Sequence, residues 1–365
     1  MTGSQETTTS AMEIPESATL RDIARVAGVS LATVSRALNG SGGRAVSAEK
    51  RALILNAADR LHYHSANPPR RRVEGGASLA HPSATHTIGL ILRATYRFTD
   101  PFWSPVLEGV TEEALRQGYH IRSSLLVGDL ADERLRRQLS PRNIDGLLLI
   151  GDMGLVAEIS GLASPDCIVV IAGADESRWE SDVRFDVITM EKHAALDRVV
   201  GHLVGLGRRR LGFLGPSPER DRRGEAFIHA LARRDLPRSP ELFVECDFGT
   251  EPAYVTARRF LGAHARDLDA LVCACDTIAI GAMRAAKELG IRLPVDLAIT
   301  GYDNIPFSRD LDPPLTTVQV PKELMGELAA RRLIERIAHP DWPPIIQVAP
   351  TKLVVRRSCG EAGGE

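Results

Sequence analysis

Residues 18–40 read ATLRDIARVAGVSLATVSRALNG, and the stretch spells out two short helices with a tight turn between them. Thr19 stands in front of Leu20, Ile23, Ala24 and Ala27, whose spacing is that of one helix face, and its hydroxyl can accept from the free amides of the first turn. Gly28 follows the last apolar position, where a helix stop needs a residue tolerant of positive φ. After Val29, Ser30 is placed to cap a second helix over Leu31–Leu38, with Val34, Ala37 and Leu38 inward and Leu31, Ala32, Thr33, Ser35 and Arg36 directed elsewhere. Asn39-Gly40 ends it. Ser47 caps a third helix with Ala48, Leu53, Ala57 and Leu61 at core spacing and Glu49 in its first turn. Three short helices with a glycine-centred turn between the first two describe a helix-turn-helix, whose second helix enters the major groove with its early residues at base edges.

The chain has 365 residues, enough for two or three domains, with 44% hydrophobic and 25% charged residues, as in an ordinary soluble protein. No apolar run approaches the length of a membrane span. The first seventeen residues are polar and acidic, unlike a secretory signal. Cys167, Cys246, Cys273, Cys275 and Cys359 form neither a CxxC pair nor a metal-ligand spacing with histidine, which points to a reducing cytoplasm. Cys273 and Cys275 alternate along an expected strand and so are expected in unequal environments. The net charge of −2 hides an asymmetry: Ala18–Arg72 carries ten Lys/Arg against three acids. A basic head on an acidic body fits a polyanion partner, although solvated basic faces are common.

The quoted stretch resembles the headpiece of LacI/GalR-type bacterial transcription regulators, through A-x-x-A-G-V-S-x-A-T-V-S-R-x-L-N in particular. The resemblance implies that Leu31, Ala32 and Arg36 touch bases, and that Thr19, Ser30, Thr33, Ser35 and Asn39 stand at DNA-facing or phosphate positions. The loop Ser41–Ala45 is about two residues longer than usual and sends Arg44 toward phosphate. Tyr63–Ala84 is rich in Pro, Gly, Ser and Arg and reads as a linker. The family has a hinge helix there. Arg70 falls on its usual arginine, and Arg72 falls where a minor-groove leucine is expected. Arg70 and Arg72 suit a narrow A·T-rich minor groove; a disordered basic tether is the alternative.

Beyond the linker the pattern alternates strand and helix. Thr87–Leu92, then 144–150, 167–171, 210–215, 269–274 and 297–303 are apolar strand-like runs, as expected for parallel strands covered on both faces. The expected fold is a small all-α helix-turn-helix headpiece plus an α/β core of two doubly wound parallel-sheet subdomains, similar to periplasmic sugar-binding proteins. The expected boundaries are a tail at 1–17, the headpiece at 18–64, the hinge at 65–86, the core at 87–358 with crossovers near 188–192 and 317–320, and a tail at 359–365. Family motifs continue through the core: DPFW at 100–103, DTIAIGA at 276–282, GYDN at 301–304 and PPLTTV at 313–318.

Ligands of such sheets bind at strand carboxyl ends. Phe102, Trp103, Arg223, Phe248, Cys275, Asp276 and Asp303 follow strand ends and stand at effector-contact positions by the resemblance. A polyol needs charged fork partners for its hydroxyls and an aromatic face for its C–H surface, and this set offers both. Phe102 and Phe248 taken singly fit core packing equally well, and Arg222 is the alternative to Arg223. Two departures stand out. Cys275 replaces the family's common Asn, and Ala172 stands where many sugar-responsive members have Asp. Glu191-Lys192 also replaces a frequent Asp-Asn.

No G-x-S-x-G, Walker A, G-x-G-x-x-G or H-E-x-x-H motif is found, and the ten histidines show no metal or nucleophile set. Neither catalytic residues, cofactor nor metal is therefore expected. The reading is a cytoplasmic, homodimeric regulator that binds double-stranded, pseudo-palindromic operator DNA, most simply as a repressor of carbohydrate uptake or catabolism, controlled by a sugar-like effector between the core subdomains. An effector-independent regulator and one responsive to a nucleoside or other metabolite are the alternatives. The residues after Val355 hold no leucine heptad, so a dimer is expected to be the final assembly. Arg36→Ala is expected to weaken specific DNA binding by about 1–3 kcal/mol while leaving effector affinity unchanged; a gel-shift titration giving equal affinities would remove Arg36 from the base-reading set.

Overall fold

The computed structural model describes residues 19–31, 33–34, 37, 46–47, 50, 53–54, 56–57, 85–92, 100–126, 132, 134, 137–139, 143–151, 168–173, 185–218 and 220–360. The chain divides into two compact units, Met1–Ser78 and Leu79–Glu365.

In the first unit, helix α1 (Leu20–Ala27) opens on a capping box. The amide of Asp22 donates to Thr19 Oγ1 at 3.4 Å, and the Asp22 carboxylate accepts from the Thr19 amide at 3.0 Å, so two free amides of the first turn are satisfied reciprocally. Gly28 closes the helix with φ 60°, as the turn requires. Ser30 starts the next helix: its Oγ accepts from Thr33 N at 3.2 Å and its carbonyl from Val34 N at 3.1 Å. Ile23, Val34, Ala37, Ile54 and Ala57 make the small core. Leu53, expected inside, is 58% exposed; Ile54 takes that place, because the third helix turns its 54/57 edge inward. Leu38, Ala48 and Leu61 lie outside the described residues, as does the hinge 65–84.

The second unit holds two parallel sheets. The first has strands β1 (Thr87–Leu92), β2 (His120–Leu126), β3 (Gly146–Ile150), β4 (Ile168–Ala172), β5 (Asp186–Met190) and β11 (Ile346–Ala349), in the order β11-β5-β4-β3-β1-β2. The second has β6 (Leu211–Gly215), β7 (Phe243–Glu245), β8 (Ala270–Cys273) and β9 (Ala298–Thr300), in the order β7-β6-β8-β9. Every residue of β1, β3, β5, β6, β8 and β9 is buried; all but β5 lie within the expected apolar runs, and β5 is absent from those runs because Asp186 and Thr189 interrupt it. Helices α2 (Trp103–Arg116) and α7 (Lys322–Ala338) pack on the first sheet. The pairs α3 (His193–Gly205) with α4 (Arg222–Ala232), and α5 (Thr250–His264) with α6 (Asp276–Glu288), accompany the second. A two-stranded ribbon, β10 (Thr317–Gln319) with β12 (Lys352–Val354), runs antiparallel.

The chain leaves the first sheet after β5, through Glu191-Lys192, and returns to it between β10 and α7, near the two expected crossings. The structure adds a third: after β11 the chain passes back through 350–351 into β12. The β11 segment escaped the sequence analysis because Ile346, Gln347 and Val348 are at the sheet edge and lack a buried run. Cys273 and Cys275 are both buried, against expectation: residues two apart in a strand share a face, so alternation gives no ground for unequal environments, and β8 stops at Cys273 in any case.

Helices α2 and α7 touch through two glycines. A Cβ on Gly109 would lie 2.0 Å from the Glu323 carbonyl oxygen, and one on Gly326 would lie 2.0 Å from the Val106 carbonyl oxygen. Neither backbone can yield without separating the helices. Gly326→Ala is expected to destabilise the protein by about 1–3 kcal/mol and lower its Tm by several degrees. Gly262→Ala is the control, since a Cβ there meets nothing within 4 Å; equal melting curves for both variants would contradict the close-contact account.

Candidate functional site

The carboxyl ends of β6, β8 and β9 converge at one edge of the second sheet, next to the switch point between β6 and β8, where doubly wound sheets leave a ligand crevice. Asp221 caps α4, its Oδ1 accepting from Arg223 N at 2.9 Å. The same carboxylate takes the Arg223 side chain as a fork, Nε to Oδ1 at 2.9 Å and Nη2 to Oδ2 at 2.6 Å. The fork fixes a guanidinium that is only 6% exposed. Its Nη1 lies 3.7 Å from Asp303 Oδ1, and its central carbon lies 5.4 Å from the Phe248 ring centroid and 5.2 Å from that of Tyr302. Both ring distances are within cation–π range. Arg222, the alternative, points elsewhere and pairs with Glu225 at 2.9 Å.

Asp303 is equally buried and holds φ at 116°, a region that residues with side chains rarely enter. Its amide donates to Val318 O at 2.8 Å, and Lys322 Nζ donates to its carbonyl at 2.6 Å. Its Oδ1 has no hydrogen-bond partner among the described residues. Burial pushes the Asp303 carboxyl well above the ordinary range, against the pull of Arg223 and with the push of Asp276. Burial also opposes the charge on Arg223, but Asp221 and its hydrogen bonds overcome this and hold the guanidinium firmly protonated. Asp221 thus neutralises Arg223, and Asp303 is the surplus acid beside a pair already closed.

Cys275 caps α6, and its Sγ lies 3.1 Å from Thr277 Oγ1. Burial, reinforced by Asp303, pushes its thiol up to about 12, so it stays neutral. Asp276 comes to the same edge but is spent on the fold: Oδ1 accepts from Thr317 Oγ1 at 2.5 Å and Oδ2 from Ile305 N at 2.8 Å. It supports the 301–305 loop that presents Asp303, rather than offering a free carboxylate. Phe248 is 45% exposed and keeps an open face.

Across the crevice, Asp100 Oδ1 accepts from Phe102 N at 2.9 Å and Trp103 N at 3.1 Å, which anchors the start of α2. The two rings meet edge to face with centroids 4.7 Å apart. Trp103 is largely buried in the core of the first sheet. The Asp100 charge adds a small part to the upward push on the Asp303 carboxyl. Asp221 and Tyr302 were given no role in the sequence analysis. Asp221 was visible as an acidic cap before a helix. Tyr302, inside the quoted GYDN, lies under Arg223 and donates from its hydroxyl to the Glu191 carbonyl at the first crossing. Glu191 in turn accepts from Arg198 at 2.8 Å and from Thr351 N and Oγ1, both at 3.1 Å, which ties the first crossing to the third; the Arg198 bond holds its carboxyl below the ordinary range.

In the head, Leu31 is 43% exposed on the second helix, just after the Ser30 cap. The hydroxyls of Ser30 and Thr33 lie 2.8 Å apart, and the Thr19 hydroxyl donates to Asp22 at 2.6 Å. These three side chains secure the helix starts that present Leu31. Ala32, Ser35, Arg36, Asn39, Arg44, Arg70 and Arg72 lie outside the described residues.

Two family patterns match the chain: that of bacterial regulatory proteins of the lacI family over residues 19–66, and that of a periplasmic binding protein-like domain over residues 200–359. The HTH-type transcriptional regulator reg1 of Streptomyces lividans is 33% identical over 95% of this chain and 98% of its own length. The ribose operon repressor of Haemophilus influenzae is 32% identical over 89% of this chain and 93% of its own. Among solved structures, a complex of the transcriptional regulator CelR with cellobiose superposes with a TM-score of 0.67 at 25% identity, covering 93% of this chain and 99% of that one. With its helix-turn-helix head and two-sheet core, the chain belongs to the lacI family of bacterial regulatory proteins.

Proposed function

We infer that this regulator is a sequence-specific DNA-binding repressor of carbohydrate uptake or catabolism genes, and that a small sugar-like effector in the crevice sets its operator affinity. The observation that carries the effector reading is the buried Asp303 Oδ1, which lacks a hydrogen-bond partner beside a fixed guanidinium and an open Phe248 ring. A buried carboxyl oxygen without a partner is costly unless a ligand completes it, and a hydroxyl does so while its C–H face covers the ring. Relatives named as a ribose operon repressor and as a cellobiose complex support the sugar class. Cys275 in place of an amide, with Ala172 in place of an acid, favours an effector with fewer hydroxyls in that part of the crevice.

For DNA, the capped second helix with exposed Leu31 supports base reading by Leu31, Ala32 and Arg36. Thr19, Ser30, Thr33, Ser35, Asn39 and Arg44 serve the backbone, and Arg70 and Arg72 the minor groove. Two heads of a homodimer read a pseudo-palindrome, in a cytoplasmic protein. Among the described residues no helix is long and apolar enough to cross a membrane. Effector and operator are coupled by linkage: the effector weakens or strengthens DNA binding by the ratio of its own affinities for the two states.

Arg223→Ala and Asp303→Ala are each expected to weaken effector binding about 10–150-fold, the equivalent of one charge-assisted hydrogen bond, with effector-free operator affinity unchanged. Calorimetric titration with a panel of mono- and disaccharides, alongside operator gel shifts, checks both halves; unaltered effector affinity in both variants would end the crevice assignment. Asp276 is expected to behave differently. Burial raises its carboxyl from 3.8 to about 6 in the folded protein, so the native state keeps a proton that the unfolded chain releases. Its contribution to stability therefore declines as pH rises from about 4 through 6, by about 3 kcal/mol at most. Asp276→Asn abolishes that decline, and its Tm should gain on wild type between pH 4.5 and 7; parallel Tm–pH curves would refute the buried-acid account.

A further inference from the structure

We propose that His193, Glu225 and His229 form a binding site for a divalent transition-metal ion of the zinc or nickel type, which clips the start of α3 to α4. His193 is the first residue of α3, and Glu225 and His229 lie one turn apart on α4, which packs against α3. One ligating atom from each lies within 4.8 Å of the other two. The imidazole centroids are 5.4 Å apart with planes tilted by 36°. Among the described residues, neither imidazole is engaged in a hydrogen bond. Sequence spacing hides the set, because His193 is brought to α4 only by the packing of the two helices.

The donor set selects the class of ion. Two imidazole nitrogens and one carboxylate suit zinc, nickel, cobalt or copper, whereas calcium and magnesium take oxygen ligands. Three protein ligands leave a position for water, as in open zinc sites. Bonds of about 2.0–2.2 Å bring tetrahedral donors to roughly 3.3 Å from one another. The solvent-exposed ring of His229 and the half-exposed ring of His193 can close that gap by side-chain rotation. Glu225 already accepts one hydrogen bond from Arg222, Nη2 to Oε1 at 3.0 Å, within an ion pair whose Nε–Oε2 distance is 2.9 Å. That partner leaves lone pairs on both oxygens for the ion, and ligating carboxylates are commonly oriented by such a partner. The next residue along the same helix start is Arg223, so the clip would stiffen the turn that carries it.

The test uses the untagged full-length chain, stripped with a chelator and titrated with Zn²⁺ alone by calorimetry, then with Co²⁺ by absorption. One Zn²⁺ per chain is expected, with Co²⁺ d–d bands and no thiolate charge-transfer band. His193→Ala and His229→Gln should each weaken Zn²⁺ binding by about tenfold or more. Zn²⁺ should raise the Tm of wild type but not of the double variant. The metal-free melting curve of His229→Gln, changed only at an exposed ring, should overlay that of wild type and so separates lost binding from lost folding. Absent stoichiometric binding, a thiolate charge-transfer band, or undiminished affinity in the double variant would each overturn the assignment.

Discussion

A guanidinium shut away from water between two carboxylates is the interaction on which the crevice depends. Left alone, Arg223 would be too costly to bury; forked by Asp221, it becomes a fixed and neutralised element of the wall. That pairing decides the state of everything around it. With its charge answered by Asp221, the nearby Asp303 has no full charge of its own to meet, and burial favours its protonated form. A protonated carboxyl both donates and accepts, so it can serve a hydroxyl in either sense. The buried Tyr302 ring and the half-exposed Phe248 ring both lie within cation–π range of the guanidinium.

The same cluster is wired to the strands that join the two sheets. Tyr302 follows β9 in the second sheet, yet its hydroxyl reaches the carbonyl of Glu191 at the first crossing. Glu191 fastens that crossing to Thr351 at the third through its carboxylate. Lys322, which opens α7 just after the second crossing, holds the Asp303 carbonyl. Groups from the crevice floor are therefore bonded directly to the first and second connections, and through Glu191 to the third. A ligand that moves Arg223 or Asp303 works on the connections themselves, without a long chain of intermediate contacts.

The fold was legible where buried strands were also apolar almost throughout; β5, buried at every position but carrying Asp186 and Thr189, was not. Thr87–Leu92 came through with its bounds intact, because that parallel strand, covered on both faces, has no charged position to blur it. The head was legible for another reason: Thr19, Gly28 and Ser30 mark helix ends by local chemistry, whatever the rest of the chain does. What failed depended on tertiary context. β11 is an edge strand with a half-exposed pattern, and the inward edge of the third helix, Ile54 over Leu53, is settled by its neighbours in the bundle. In the crevice, residue types could not divide the labour among the named side chains. Asp276 and Asp303 look alike in sequence. Only the Thr317 and Ile305 contacts show that the first is committed to the loop.

The second crossing has a consequence for how the protein is made. Helix α7 and strand β11 belong to the first sheet, yet they are translated after the whole of the second. While the ribosome works through residues 193–320, β1 to β5 are already outside with the β5 edge unpaired and the surface that α7 will cover still bare. At about 5–20 residues per second, that interval lasts several seconds or longer, far beyond the time of hydrophobic collapse. Over those seconds the apolar runs GLLLI and IVVIA are exposed to other nascent chains. The second sheet, continuous in sequence from β6 to β9, can close first, and the elder sheet finishes last.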